Sequence, residues 1–262
     1  MIHACARRWP TTGRRGITRA LRKGFVDLHC HLLRDVDDGS ETPDETIAAA
    51  RLLRALGFSD VAPSPHAIPN LPSADATLCA RRRRDAEALF AEEGIALTLH
   101  GNAENRLDDA FLARAGGADR RGIGATEVWA LVEAPFDSEL PDVVERVQRV
   151  LAAGARPLVA HPERCAEFGR PGRAEEVVRA GGALQLNVGA LAGLYGAEVR
   201  RRAQRFLDAG LYAVAGTDLH SPGAERWLGE ALEALARRAG PDGLTRLLDA
   251  NPRRILAGEA LP

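Results

Sequence analysis

Nine side chains able to hold cations or move protons recur just beyond short apolar runs of this chain. His29, His31 and Asp38 lie in "DLHCHLLRDVDDG". His66 closes "APSPH", Glu104 closes "HGNAE" and Glu133 closes "ALVE"; His161 lies in "VAHPER", and Asp218 and His220 in "AGTDLH". Buried ionisable groups are costly unless they are paired or coordinate a metal. Five imidazoles and four carboxylates, with no thiolate at the aligned positions, suit Mn, Fe, Zn or Mg. In a strand, residues two apart share a face roughly 7 Å from one another. His29 and His31 can therefore face one ion or two adjacent ions while Cys30 points into the wall, and Asp218 and His220 repeat the arrangement about Leu219. Carboxylates can bridge ions about 3.5–4 Å apart, as multinuclear phosphatase sites require.

Each piece has a plainer reading on its own. A lone His-x-His is often a structural or surface feature, and an acidic cluster before Gly39 is usually a solvated turn. Asp35 and Asp37 read as turn residues, His100 as a packing residue, and His3 as part of the tail. Imidazole or carboxylate at six of seven expected strand ends is nevertheless more than packing requires.

Two nucleophile chemistries are excluded. A thiol phosphatase needs Arg six residues after its Cys, but those positions hold Thr11, Val36, Asp85 and Pro171, and no GxSxG elbow occurs. Hydrolysis by metal-activated water remains, since cations lower the pKa of bound water towards ~7. A phosphate monoester would also use a guanidinium clamp. Arg164, close behind His161, and Arg226, beyond His220, are the candidates, each weighed against being an ordinary surface arginine.

The elements that must position these groups alternate in type. Expected strands are Phe25–Leu28, Asp60–Ala62, Ile95–Leu99, Val128–Val132, Pro157–Ala160, Ala183–Leu186 and Ala213–Ala215. Helices are expected near residues 43–56, 74–93, 142–153, 173–180, 198–209 and 225–238, with a shorter helix or loop at 106–115. "TPDE" marks one helix start, with a capping Thr42, a first-turn Pro43 and Glu45, and Gly57 stops that helix. This alternation predicts an α/β fold with parallel strands. Seven strands in such a chain favour a (β/α) barrel, whose active site forms where the carboxyl ends of the strands gather. No GxGxxG or P-loop follows any strand.

Composition narrows the class. Among 262 residues, 45% are hydrophobic, enough for a large core, and 35 basic residues face 36 acidic ones. That balance argues against a general nucleic-acid or membrane-surface binder, and no apolar run is long enough to span a membrane. Four cysteines without a CxxC pair suit a reducing, cytoplasmic setting. Residues 1–24 carry six arginines, one lysine and no acid. They read as a basic extension, disordered or a targeting segment, ahead of a domain at 25–262.

The set "DLHCHLLRDVDDG", "SPH", "GNAE", "ALVE", "AHPER" and "GTDLH", with "NPRRIL" near the end, resembles the PHP (polymerase and histidinol phosphatase) superfamily. It is most similar to the bacterial manganese-dependent protein-tyrosine phosphatases of capsule and exopolysaccharide loci. The histidinol phosphatases usually have His where this chain has Asp38 and Glu133. The resemblance implies a distorted (β/α)7 TIM-like barrel, the PHP fold, with three divalent ions, manganese first. One ion would take His29, His31, Glu104 and Asp218. A second would share Glu104 and add Glu133 and His161, and a third would take Asp38, His66 and His220. A metal-bridging hydroxide would attack phosphorus while Arg164 holds the phosphoryl oxygens. The implied partner is a phosphotyrosine protein, an autophosphorylating bacterial tyrosine kinase of polysaccharide export, and a homo-oligomer is compatible with the pattern. The alternatives are a histidinol-phosphate or other small phosphomonoester phosphatase on the same fold, and a non-catalytic metal-binding scaffold.

Overall fold

The computed structural model describes residues 24–220 and 222–262; apart from Gly24, the expectation for residues 1–24 lies outside them. The described residues form eight strands, one more than expected. They are β1 (Phe25–Asp27), β2 (Phe58–Val61), β3 (Thr98–Leu99), β4 (Glu104–Arg106), β5 (Trp129–Glu133), β6 (Arg156–Ala160), β7 (Ala183–Asn187) and β8 (Tyr212–Gly216). All pairings are parallel, in two sheets ordered β1-β2-β3 and β4-β5-β6-β7-β8. The added strand is β4, opening with Glu104 where a polar "ENR" gave no apolar run to read. Its Glu104 and Asn105 are buried, and the Asn105 amide donates to the carbonyls of Ala103 and Leu131.

Two isolated parallel bridges join the sheets, Cys30 to Leu219 and His66 to Glu104. The backbone bonds His31 N–H to Leu219 O (2.8 Å) and Asp218 N–H to His29 O (2.7 Å) flank the first. The first bridge lies beyond the carboxyl ends of β1 and β8, and the second joins the segment after β2 to Glu104 at the start of β4, so the contacts between the sheets also align expected ligands.

The helices follow from local signals. In α1 (Pro43–Ala55), Thr42 Oγ1 accepts from Glu45 N–H, and Glu45 reaches back to the Glu41 N–H. Gly57, at φ 96°, ends that turn in the left-handed region where a side chain would be strained. The remaining α-helices are α2 (Ala76–Glu92), α3 (Asp109–Arg114), α4 (Val143–Ala152), α5 (Arg173–Arg179), α6 (Val188–Ala192), α7 (Ala197–Asp208), α8 (Leu228–Thr245) and α9 (Asn251–Leu256). The helix expected at 225–238 begins instead at Leu228, behind a 3-10 turn at Pro222–Arg226, and extends beyond Gly240, whose non-helical φ of 68° precedes Pro241.

Strand alternation divides the core. One face of every strand except the polar β4 contributes to a large apolar cluster that includes Phe25, Cys30, Val132, Val159 and Leu186. The opposite faces meet in a smaller cluster of Val26, Leu28, Leu131, Leu158, Ala160 and Val214, closed by Ile255 of α9. The "NPRRIL" segment fastens that closure. Asn251 donates to Ala213 O (2.7 Å), and Arg253 donates to Gly24 O (2.6 Å) beside Asp60 (3.4 Å).

Candidate metal centre

His29 and His31 share a face, as their spacing predicts, but strand alternation alone does not aim it. Val26 and Leu28 belong to the inner cluster, so strict continuation would send His29 outward. The strand ends at Asp27 and the chain bends at Leu28. Buried Asp27 pins this bend by accepting from the N–H of His29 (3.1 Å), the N–H of Thr217 (3.1 Å) and the Thr217 hydroxyl (2.5 Å). Burial pushes its carboxyl up to about 6, against those hydrogen bonds. Two other groups are turned by unusual backbone: His161 (φ 30°) and Asp218 (φ 51°) are non-glycine residues at positive φ. Such strain collects at functional sites where the surroundings over-determine it.

The nine expected residues converge into overlapping groups, within each of which one donor atom per residue lies within 4.8 Å of the others. These groups are His31, Asp38, His66 and His220; His29, His31 and Glu104; His29, His161 and Asp218; and His66, Glu104 and Glu133. The proximities thus set His66 with Glu104 and Glu133, and His161 with His29 and Asp218. Glu104 is the hub. Its Oε2 lies 3.3 Å from His29 Nε2, 3.5 Å from His31 Nε2 and 3.0 Å from His66 Nδ1, yet this buried oxygen accepts no hydrogen bond. Its Oε1 meets His161 Nε2 at 2.9 Å. His29 Nε2 and His31 Nε2 face each other at 3.3 Å, and His29 Nε2 is 3.2 Å from Asp218 Oδ1. Donors about 2.1 Å from a common ion are ~3.0–3.5 Å apart. Converging imidazole nitrogens and an orphaned carboxylate oxygen at this spacing fit divalent cations.

The field of the site points the same way. Burial opposes protonation of His29, His31 and His66, yet neighbouring carboxylates raise them to about 8, 10 and 11. His31 owes this chiefly to Asp37 and Glu104, and His66 to Asp38 and Glu104. Glu104 is held well below the usual carboxylate range by His29 and His161 despite its burial, whereas burial and the Glu104 charge raise Glu133 to about 7. Hydrogen bonds from His220 and His66 hold the Asp38 carboxyl down. A pocket that protonates buried imidazoles is one that favours added positive charge.

Several residues that orient the cluster carried no clear sequence signal. Asp37, read as a turn residue, accepts from His31 Nδ1 (2.8 Å) and the His66 N–H (3.0 Å) as well as from the Gly39 N–H (3.2 Å). Asp35 keeps its turn role, at φ 56° and paired with Arg82. Gln185 Oε1 lies 3.0 Å from His29 Nδ1, and Asn187 Nδ2 donates to Asp218 Oδ2 (2.7 Å). "QLN" ends β7, the one expected strand without His or acid, and two buried polar residues spaced by two were the available signal. His100 sits apart from the cluster, against Asp60 at 3.0 Å.

Arg164 reaches the cluster and donates to Asp218 Oδ2 at 2.5 Å. Its guanidinium lies between two rings, 4.3 Å from the Phe136 centroid and 4.1 Å from that of Tyr195. Neither aromatic was singled out in the sequence. Arg226 ends the 3-10 turn with an exposed side chain, and no hydrogen bond or ion pair among the described residues joins it to the cluster.

A parallel α/β scaffold that gathers mixed imidazole and carboxylate donors in one place is the arrangement of a metal-dependent hydrolase. Solved structures agree on the fold. The chain superposes on a structure from a study of YwqE of Bacillus subtilis and CpsB of Streptococcus pneumoniae, described as metal-dependent tyrosine phosphatases, with a TM-score of 0.81, 23% identity, and 90% and 96% of the two chains covered. A histidinol phosphate phosphatase from Lactococcus lactis, holding zinc, histidinol and phosphate, superposes at a TM-score of 0.55 with 13% identity, over 82% of this chain and 94% of that one. The chain belongs to the capsular polysaccharide synthesis CpsB/CapC family, whose model matches residues 25–257. Its relatives include the tyrosine-protein phosphatase YwqE of B. subtilis, 27% identical over 90% of this chain and 93% of that protein. Tyrosine-protein phosphatase CpsB of S. agalactiae is 24% identical over 88% and 98%.

Proposed function

We propose that this protein is a metal-dependent protein-tyrosine phosphatase, with His29, His31, Asp38, His66, Glu104, Glu133, His161, Asp218 and His220 as its metal ligands. The observation that carries this reading is the orphaned Glu104 oxygen among three imidazole nitrogens, with the stacked Arg164 beside the same cluster. Bound divalent ions would activate water and neutralise phosphoryl charge. In this reading the ions number three, supported by the overlap of the donor groups, and the nitrogen and oxygen mixture suits manganese, with iron, zinc or magnesium as substitutes.

The protein's own groups supply the rest. Asp37 and Gln185 fix the rings of His31 and His29 through their Nδ1 atoms. Phe136 and Tyr195 hold the Arg164 plane, and Asp218 takes one of its N–H groups, leaving the others for phosphoryl oxygens. Tyrosine leaves with a reference pKa of about 10, so its departure needs less proton donation than that of an alkyl alcohol. Arg226, exposed at its turn, is at most a contact for the surrounding peptide.

In the same reading, the two sheets form one distorted barrel closed through the Cys30–Leu219 and His66–Glu104 bridges. The catalytic domain spans 25–262 with a basic extension ahead of it, and its substrate is a tyrosine kinase of polysaccharide export in the cytoplasm. The family's link to capsule synthesis supports that substrate, and the buried, free Cys30, Cys79 and Cys165 suit a reducing compartment. No described helix is long and apolar enough to cross a membrane.

The test is phosphate release by the metal-loaded chain from a phosphotyrosyl peptide, a phosphoseryl peptide and histidinol phosphate. The proposal expects marked preference for the first. Faster hydrolysis of histidinol phosphate would assign the protein to the small-molecule phosphatases of this fold, and no release from any of them would leave a metal-binding scaffold.

A further inference from the structure

A cavity of about 400 Å³ opens beside the cluster, lined by Arg164, Leu194, Tyr195, Asp218, His220, Ala224 and Trp227. Its lining divides into two chemical halves. Arg164, Asp218 and His220 are its polar members, and Asp218 and His220 belong also to the clustered donors. Leu194, Tyr195, Ala224 and Trp227 form an apolar and aromatic end. Leu194, at that end, is 48% exposed.

The apolar end is built rather than incidental. Leu194 and Trp227 both pack over Gly189 of α6. A Cβ there would lie 3.1 Å from Trp227 Cζ3 and 3.2 Å from Leu194 Cδ2. Glycine at that position leaves room for both the indole and the isobutyl group against the α6 backbone. Tyr195 is fixed in turn, its hydroxyl accepting from Asn187 Nδ2 at 2.9 Å while its ring stacks on Arg164. The Asn187 amide also donates to Asp218, so one residue of β7 sets both halves of the cavity.

We propose that this cavity is the aryl subsite of the enzyme, in which Leu194 and Trp227 clasp the phenol ring of a phosphotyrosyl side chain whose phosphoryl end faces Arg164 and the metal centre. The assignment rests on the phosphatase reading and adds its specificity residues. A flat ring between apolar walls, with a dianion at one end, matches the division of the lining; an alkyl phosphate has no group for the apolar end. A histidinol ammonium would fare worse, because among the described residues of the lining Asp218 is the one carboxylate, and Arg164 and Asn187 already engage it. The cavity between Leu33, Arg83, His100 and Arg121 offers no comparable match, since it contains none of the clustered donors.

The experiment measures binding of benzylphosphonate and methylphosphonate, which are not hydrolysed, to the full metal-loaded chain by calorimetry. The expected result is at least tenfold tighter binding of benzylphosphonate. Leu194→Ala and Trp227→Ala should each erase most of that preference with methylphosphonate affinity held within twofold, and Trp227→Phe should restore most of it. Leu194 is half exposed, so its truncation leaves folding intact even if Trp227→Ala does not fold. A benzyl preference retained in Leu194→Ala and in any folded Trp227 variant, or absent from the unaltered protein, overturns the assignment. Hydrolysis of aryl phosphate is read separately. Benzyl preference without turnover would sink the phosphatase reading and leave the aryl pocket standing, whereas turnover without benzyl preference would do the reverse.

Discussion

Replacing Asp37 with Asn should weaken cation binding without unfolding the protein. Its carboxylate lies in the bend after His31, with one oxygen 2.8 Å from His31 Nδ1 and 3.0 Å from the His66 N–H, and the other 3.2 Å from the Gly39 N–H. Accepting from Nδ1–H leaves the lone pair of His31 on Nε2, the atom that faces Glu104 and Asp218 at 3.5 Å. An amide cannot reproduce this. If its oxygen faces His31, its NH2 opposes the Gly39 N–H. If its NH2 faces His31, it opposes the His66 N–H and selects the tautomer that carries hydrogen on Nε2. Hydrogen bonds to charged acceptors exceed neutral ones by about 1–1.5 kcal/mol, and loss of an outer partner of a metal-bound histidine typically costs 10–100-fold in affinity. The expected penalty is therefore about 1.4–2.7 kcal/mol in cation binding. Titrating Mn(II) into the metal-free full chain by calorimetry, with thermal melting of the metal-free form as a control, measures it. Affinity within twofold of the unaltered protein would refute the argument. So would a fall in metal-free melting temperature large enough to account for the loss, because Asp37 would then hold the fold rather than the ligand.

Other perturbations separate the parts of the site. Arg164→Ala should cut turnover of a phosphotyrosyl peptide by 10²-fold or more with bound metal unchanged, the order expected for losing a charged transition-state donor; loss of metal in that variant would assign Arg164 to ligand support instead. Tyr195→Ala should lower kcat through a loosened Arg164, with Tyr195→Phe restoring it because the ring, not the hydroxyl, makes the stack. Chelation should lower the melting temperature, since cations at 100 times their Kd stabilise the folded state by about 2.7 kcal/mol; an unchanged melt would argue against tight sites. Asp60 supplies a pH test remote from the metal centre. Its carboxyl, although partly buried, is held below the usual range by Ser59, His100 and Arg253. A lowered folded pKa contributes stability above the unfolded value of about 3.9, and that contribution disappears as pH falls through the folded one. Asp60→Asn should thus destabilise at pH 7 and converge with the unaltered protein in acid, as read from urea midpoints across pH.

Much of the site was legible because imidazole and carboxylate at strand ends are rare without a chemical reason, and spacing by two is a local property of extended chain. His29 with His31, and Asp218 with His220, could be paired before any fold was known. The capping Thr42 and the stop at Gly57 were equally local. The strand at Glu104–Arg106 escaped because it is short and polar, and its pairing partner β5 stands far along the chain. The aromatic walls around Arg164 escaped for a related reason. Phe136 and Tyr195 lie in separate connections, and no local pattern tells a ring that stacks on a guanidinium from one that fills a core.

The sequence by itself determined which side chains could hold cations and that strand–helix alternation would bring them to one end of a parallel α/β fold. Only the tertiary structure decided their partners and aim. The bend at Leu28 set by Asp27 and Thr217, the positive φ of His161 and Asp218, and the oxygens of Asp37 and Gln185 on two imidazoles each depend on contacts distant in the chain or on a turn's final geometry. Residue type and spacing specify which donors are available. Orientation is fixed by packing and hydrogen bonds that form only when remote segments meet, and for a metal centre orientation separates a ligand from a buried histidine.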